Sequence, residues 1–98
     1  MNNKLVVWLN KKYTETAETT IKAALKRDYN IDEDDFTKTE GGFEFLFDDE
    51  TGGHAEIEFI RDDAKAFGVA ILADHAWECM ELYGLVQTSF EDDEEDIR

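Results

Sequence analysis

The sequence predicts an α+β domain in which a small, mainly antiparallel sheet carries two helices packed on one face. Three patterns support this: alternating apolar residues over 43–60, a helical apolar stripe over 14–29 and a broad apolar arc over 64–83. The expected order is β-α-β-β-α, because amphipathic helices bury their apolar stripes against one face of such a sheet. The 98 residues allow one core, which we assign to residues 1–90.

The first strand is predicted at residues 4–9, KLVVWL, which are apolar and partly β-branched. Apolar and polar residues do not alternate there, so we expect a strand that is covered on both faces or central to the sheet. A helix follows over residues 14–29, with Thr14 or Thr16 as its cap and Asn30 after its last turn. The side chains expected to form its buried stripe are Ala17, Ile21, Ala24, Leu25 and Tyr29.

Residues 31–42, IDEDDFTKTEGG, are expected to form an acidic loop that leads into a β-hairpin over residues 43–60. In the first hairpin strand, phenylalanines alternate with Glu44, Leu46 and Asp48. The DDETGG segment supplies the turn, since its glycines adopt positive φ at no steric cost.

A second helix is predicted over residues 64–83, starting after Asp62 or Asp63 and ending at Gly84. A glycine at position 68 disfavours a helix, so a strand over residues 67–73 is the alternative. A short strand at 85–90 would complete the sheet. Residues 91–98, which open with the acidic run EDDEED, are predicted to be a solvated tail.

The charge is large and unevenly distributed. The net charge is −15, yet residues 1–27 carry +4, whereas residues 28–60 carry −11 and residues 61–98 carry −8. The 42% hydrophobic content indicates a folded chain. Segregated charge favours recognition of a cationic partner over solubility alone, which dispersed charge would serve. A lysine-rich basic complement, seven Lys against three Arg, argues against adaptation to high salt.

Localisation follows from apolar runs and from cysteine content. No segment approaches the roughly 18 apolar residues of a membrane helix, and the apolar run at 5–9 is shorter than a secretory core of about 7–15 residues. The single cysteine, Cys79, excludes an internal disulfide and is typical of a reducing compartment. We therefore expect a cytoplasmic protein that does not associate with membranes.

No catalytic, cofactor-binding or metal-binding residue is predicted, and we do not expect an enzyme. His75 and Cys79 would share a helix face as a nucleophile pair or, with His54, as metal ligands. Zinc motifs usually repeat close Cys or His pairs, so a buried cysteine beside an ordinary histidine is the favoured interpretation. The acidic loop has Phe36 where an EF-hand needs an oxygen ligand. The negative charge also opposes direct binding of nucleic acid.

Instead, the acidic residues predict a surface that binds a basic, nucleic-acid-binding protein. If the hairpin buries its phenylalanines, its acidic side chains project from the other face, where alternate residues lie roughly 6.6–6.8 Å apart. That spacing is comparable to the spacing of successive phosphates along a nucleic-acid strand. The predicted partner-binding residues are Asp32, Glu33, Asp34, Asp35, Phe36, Glu44, Asp48, Asp49, Glu50, Glu56 and Glu58. Phe36, Leu46 and Phe90 are expected to be exposed and to add apolar contacts.

In size, charge and α+β pattern, the whole chain resembles the small DNA-mimic inhibitors made by phages and mobile elements. These include anti-CRISPR proteins, antirestriction proteins and inhibitors of uracil-DNA glycosylase. The resemblance involves no shared motif, so no functional residue is carried over. It implies an inhibitor of a host defence or repair protein, first of all an anti-CRISPR protein. The alternatives are an immunity protein or antitoxin that neutralises a cationic nuclease, and an acidic domain with a housekeeping or structural role.

Overall fold

The computed structural model describes residues 2–48, 50–62 and 66–90, in which one antiparallel sheet carries two helices. The strands are β1 (Asn3–Leu9), β2 (Thr37–Lys38), β3 (Gly42–Asp48), β4 (Gly53–Asp62) and β5 (Ala66–Ala73), and the helices are α1 (Ala17–Tyr29) and α2 (Ala76–Ser89). Short 3-10 turns occupy Lys11–Tyr13 and Glu33–Asp35. The strand order across the sheet is β1-β5-β4-β3-β2. The predicted α+β class is confirmed.

The core lies between the helices and one face of the sheet. Phe43, Ile57 and Ile71 form one row across β3, β4 and β5, and all three are buried. Ile21 of α1 and Leu82 of α2 belong to the same core cluster. The two helices therefore share one face of the sheet, as predicted. We call the opposite face, which no helix covers in the described part of the chain, the open face.

The predicted helix at 64–83 is wrong over residues 66–73, where the alternative strand forms instead. β5 pairs with β1 on one side and with β4 on the other. Val69 and Ala70 point to opposite faces and are both fully buried, which explains the absence of alternation in this apolar run. The start predicted at Asp62 or Asp63 is consequently wrong as well, because Asp62 ends β4.

Helix α2 begins later and continues further than predicted. It starts at Ala76 and passes through Gly84, where a Cβ atom would meet nothing within 4 Å. Leu85 and Val86, predicted to begin a short strand, are buried residues of this helix. Burial of these two side chains against the core outweighs the helix-breaking tendency of one glycine.

Strand β1 forms where predicted but lies at the edge of the sheet and not at its centre. Val7 points into the core, whereas Trp8 projects from the open face with 59% of its surface exposed. The strand lacks alternation because both of its faces are apolar, although helices cover only one of them. The expectation of a strand covered on both faces is therefore wrong.

The first helix and the hairpin form as predicted, although Tyr29, expected in the buried stripe of the helix, is 36% exposed. Helix α1 starts at Ala17, three residues later than predicted, and Thr16 occupies its cap position without a side-chain capping bond. Asn30 ends it in the left-handed conformation with φ 59°. Strands β3 and β4 pair as the predicted hairpin. No helix among the described residues is long and apolar enough to cross a membrane, and the acidic tail at 91–98 lies outside the described residues.

Candidate partner-binding surface

Three glutamates project from the open face on adjacent strands. Glu44 of β3 lies directly opposite Glu56 of β4, and Glu58 follows two residues along β4. Alternation places all three on the face away from the phenylalanines, and all three are half-buried. We call Glu44, Glu56 and Glu58 the acidic trio.

The trio is a cluster of like charges on adjacent strands. Burial and the neighbouring carboxylates of Glu58 and Glu44 raise the pKa of Glu56 above its usual range, although a hydrogen bond from Thr39 acts in the opposite direction. None of the ion pairs among the described residues involves a member of the trio. Like charges directly opposite on neighbouring strands are destabilising. A cationic group bound at this position would remove that repulsion.

Towards the turn of the hairpin, carboxylates stabilise the local backbone. Asp48 accepts hydrogen bonds from the Glu50 amide at 3.0 Å and from the Thr51 hydroxyl at 2.9 Å. Asp48 is therefore a turn-forming residue, whereas the side chain of Glu50 is exposed. His54 lies between this turn and the trio on β4. Asp49, also predicted to bind the partner, lies outside the described residues.

The loop acids form a second cluster beside α1. Lys22 of α1 lies 3.2 Å from Glu33, and Lys26 forms an ion pair with Asp32. Asp35 accepts a 2.8 Å hydrogen bond from the Asp32 amide and so closes the 3-10 turn. Asp34 is exposed in the same turn. Since α1 covers the face opposite the trio, the structure does not bring the loop acids and the hairpin acids together on one surface.

Two of the three aromatic or aliphatic contacts predicted to be exposed are packed instead. Phe36 is half-buried, with its ring centroid 5.0 Å from that of Phe43. Phe90 is buried, with its ring centroid 4.7 Å from that of Tyr13. Only Leu46 is exposed, on the open face beyond the trio. Phe36 and Phe90 therefore support the core, since an aromatic ring at a loop adjoining the helix layer gains more by burial than by exposure.

The apolar part of the open face was not anticipated from the sequence. Trp8, Gly68 and Ile60 form one row across β1, β5 and β4, and the next row is Val6, Ala70 and Glu58. With Leu72 beside Glu56, these side chains form an apolar patch that adjoins the acidic trio. We call Val6, Trp8, Ile60 and Leu72 the apolar patch, since Ala70 in the same face is fully buried. The apolar runs at 4–9 and 67–73 were the available signal, but a patch follows from them only once the two segments are known to pair.

His75, Cys79 and Glu78 occur together at the start of α2. The Cys79 thiol is buried and donates a hydrogen bond to the Ile71 carbonyl at 3.4 Å. Burial raises the pKa of this thiol, which disfavours the nucleophilic thiolate. His75 precedes the helix, with its Nδ1 atom 3.0 Å from Glu78 Oε1. Within the described residues, no group of three or more His, Cys, Asp and Glu side chains is placed to hold a metal ion.

Comparison with protein families, with curated proteins and with solved structures found no match to this chain.

Proposed function

We propose that the open face binds the basic nucleic-acid-binding surface of a host defence or repair protein. By occupying the place of the nucleic acid, the chain inhibits that protein. A CRISPR effector is the first candidate, and the chain would then act as an anti-CRISPR protein of a phage in the host cytoplasm. The observation that carries the proposal is the acidic trio, in which three half-buried carboxylates on adjacent strands form no ion pair among the described residues.

The trio matches a basic groove in both charge and spacing. Glu56 and Glu58 are alternate residues of one strand and so lie roughly 6.6–6.8 Å apart. A partner groove that binds successive phosphates can bind carboxylates at that spacing. Their repulsion is already present in the unbound protein, as the raised pKa of Glu56 indicates. A lysine or arginine placed between these carboxylates relieves their mutual repulsion and is attracted to both of them. Both effects favour binding of a cationic side chain at this position.

The apolar patch supplies what a nucleic acid lacks. Tryptophan is among the residues that contribute most to protein interfaces, and Trp8 is 59% exposed at the far side of the patch. A partner that contacts both the trio and Trp8 is distinguished from any other basic surface by its apolar contacts. Charge then governs the rate of association, and the patch contributes affinity that persists at raised salt.

The test compares two variants that each lose three negative charges. The hairpin variant carries Glu44→Gln, Glu56→Gln and Glu58→Gln, and the loop variant carries Asp32→Asn, Glu33→Gln and Asp34→Asn. Each immobilised protein is exposed to a host lysate, and bound proteins are released by a salt gradient and by an excess of DNA or RNA. We expect the wild-type and loop variants to capture the same basic protein, and the hairpin variant to lose it.

Two outcomes would contradict the proposal. One is equal capture by the hairpin variant, and the other is a complex that neither nucleic acid nor raised salt weakens. Capture of a nuclease toxin, inactive in the complex, would instead indicate an immunity protein or antitoxin. Once a partner is isolated, calorimetry at mildly acidic pH gives a further check, because a cation beside Glu56 lowers its pKa and protons are released on binding.

A further inference from the structure

The outer edge of β1 is a long pairing surface at one end of the sheet. β1 stands at the end of the strand order, and its register with β5 is continuous from Asn3 to Leu9. No described strand pairs with its other edge. In any antiparallel ladder the backbone groups of alternate residues point away from the partner strand, so this edge presents a row of donors and acceptors to solvent.

Natural proteins usually protect such an edge, and the opposite end of this sheet is protected in this way. There, β2 has only two residues, Thr37 and Lys38, and β3 behind it has an irregular register between Leu46 and Asp48. Short edge strands and bulges prevent pairing with another chain. β1 has seven residues, no glycine or proline and a single charged side chain, Lys4. The contrast indicates that the β1 edge pairs with another strand.

Exposed apolar side chains flank this edge on both layers of the protein. Three of the six large hydrophobic side chains described as exposed are found there: Leu5 at 36%, Trp8 at 59% and Met80 at 67%. Trp8 belongs to the open face, whereas Leu5 and Met80 line one shallow hollow between β1 and α2. A concentration of exposed apolar surface at one place marks an interaction site.

The charge distribution favours a second copy of this chain as the partner of the β1 edge. Residues 1–14 contain Lys4, Lys11 and Lys12 and no acidic residue. The segment around the β1 edge therefore has no carboxylate, although the protein as a whole is very acidic. A second copy that approaches this edge is not repelled by that segment. If two β1 strands pair, five strand spacings separate Glu56 from its counterpart, or about 24 Å, which is roughly three Debye lengths at physiological ionic strength.

We propose that two copies of the chain pair through β1 in antiparallel orientation, which makes one continuous sheet twice as wide. With the two-fold axis at Val6, Lys4 of each copy lies opposite Trp8 of the other. Lys4, Val6 and Trp8 alternate along the strand and so share the open face. The ammonium group then meets the indole ring across the interface as a cation–π pair, and the two apolar patches become continuous. This dimer does not depend on the proposed inhibitory function.

The test is self-association measured by sedimentation velocity over about a hundredfold range of concentration. We expect a reversible dimer that becomes tighter as salt is raised, because screening weakens the repulsion between two acidic copies. Binding of a cationic partner has the opposite salt dependence, so the two proposals fail independently. A wild-type protein that remains monomeric at every concentration and salt tested would overturn the dimer.

Matched variants locate the interface. Val6→Lys places two like charges at the two-fold axis, and Met80→Lys changes the helix layer without altering the sheet. The control, Leu46→Lys, adds the same charge to the open face at the far side of the sheet, on β3. We expect Val6→Lys and Met80→Lys to abolish the dimer and Leu46→Lys to retain it. A dimer that persists in both edge variants, or is lost only in the control, would place the interface elsewhere.

Discussion

The indole ring of Trp8 lies directly against the backbone of Gly68, its partner across the β1–β5 pair. A Cβ atom added to Gly68 would lie 2.8 Å from Cζ3 of Trp8, closer than two carbon atoms approach in a relaxed protein. The glycine therefore allows the ring to lie over the sheet. Glycine inside a strand often marks such a close approach.

We predict that Gly68→Ala destabilises the protein by about 1–3 kcal/mol, because the ring or the strand must move. The matched control is Gly84→Ala in α2, where a Cβ atom meets nothing within 4 Å. That substitution should stabilise the protein by about 0.5–1 kcal/mol, since alanine favours a helix over glycine. Urea denaturation of the two variants measures both changes. Equal effects would show that the Trp8 contact has no energetic significance.

The sequence predicted the fold class, the hairpin and α1 because each depends on a local pattern. Glu44 and Glu56 alternate with phenylalanine and isoleucine, and such alternation requires no knowledge of distant contacts. The trio could be predicted for the same reason. Its separation from the loop acids could not, because that depends on which face α1 covers.

The segment 66–73 shows why the remainder could not be predicted. A continuous apolar run suits a buried strand and a buried helix equally well. The strand forms because β1 and β4 supply pairing partners on both sides, and these contacts are distant in sequence. The apolar patch depends on the same pairing. Because residues 66–73 were predicted to be helical, neither the edge position of β1 nor the exposure of Trp8 was predicted.

The carboxylate of Glu78 is a buried acid that stabilises the start of α2. Glu78 is 0% exposed, and its Oε1 atom accepts a 3.0 Å hydrogen bond from the His75 amide. Its Oε2 atom has no hydrogen-bond partner in the described part of the chain and packs against Gly53. A local sequence pattern does not predict this burial, because it arises from contact with the distant hairpin turn.

We predict that Glu78→Ala destabilises the protein by about 2–4 kcal/mol, because it opens a cavity and leaves the His75 amide without its acceptor. Glu78→Gln keeps the shape and that acceptor, so its free energy of unfolding should stay within about 1 kcal/mol of wild type. Thermal unfolding gives both values, with the exposed Thr88→Ala as a control in the same helix. A large loss in the Gln variant would mean that the negative charge itself is required.

The phenol of Tyr29 connects the end of α1 to α2 through a 2.9 Å hydrogen bond to Glu81. Burial and this carboxylate raise the pKa of Tyr29 to about 12, compared with an ordinary value of about 10. Because the folded-state pKa is the higher one, the stabilising contribution is complete below about pH 10 and is lost as pH rises towards 12.

Glu81→Gln should lower the pKa of Tyr29 without restoring its ordinary value, because burial is the larger cause. Phenolate absorbance measures this, with Tyr29→Phe subtracted in each background to isolate the one tyrosine. An unchanged pKa in the Gln variant would rule out the contact with Glu81 as a cause of the shift.

The acidic trio should also affect the stability of the unbound protein. The pKa of Glu56 is raised by burial and by Glu58 and Glu44, so the folded state favours its protonated form. Its negative charge consequently destabilises the fold at neutral pH. This cost falls as pH decreases through the raised pKa and is gone below the unfolded-state pKa, where Glu56 is protonated in both states.

We therefore predict that Glu56→Gln stabilises the protein at pH 7 by about 0.5 kcal/mol, the size of a like-charge cross-strand repulsion. The gain should vanish in acid, where wild-type Glu56 is already neutral. Glu50→Gln removes the same charge from the exposed turn and serves as the control for the overall net charge of −15. Denaturant unfolding at neutral and acidic pH distinguishes the two effects. If Glu50→Gln stabilises as much as Glu56→Gln, the repulsion arises from the net charge of the whole surface. The trio would then provide no particular driving force for binding a cationic partner.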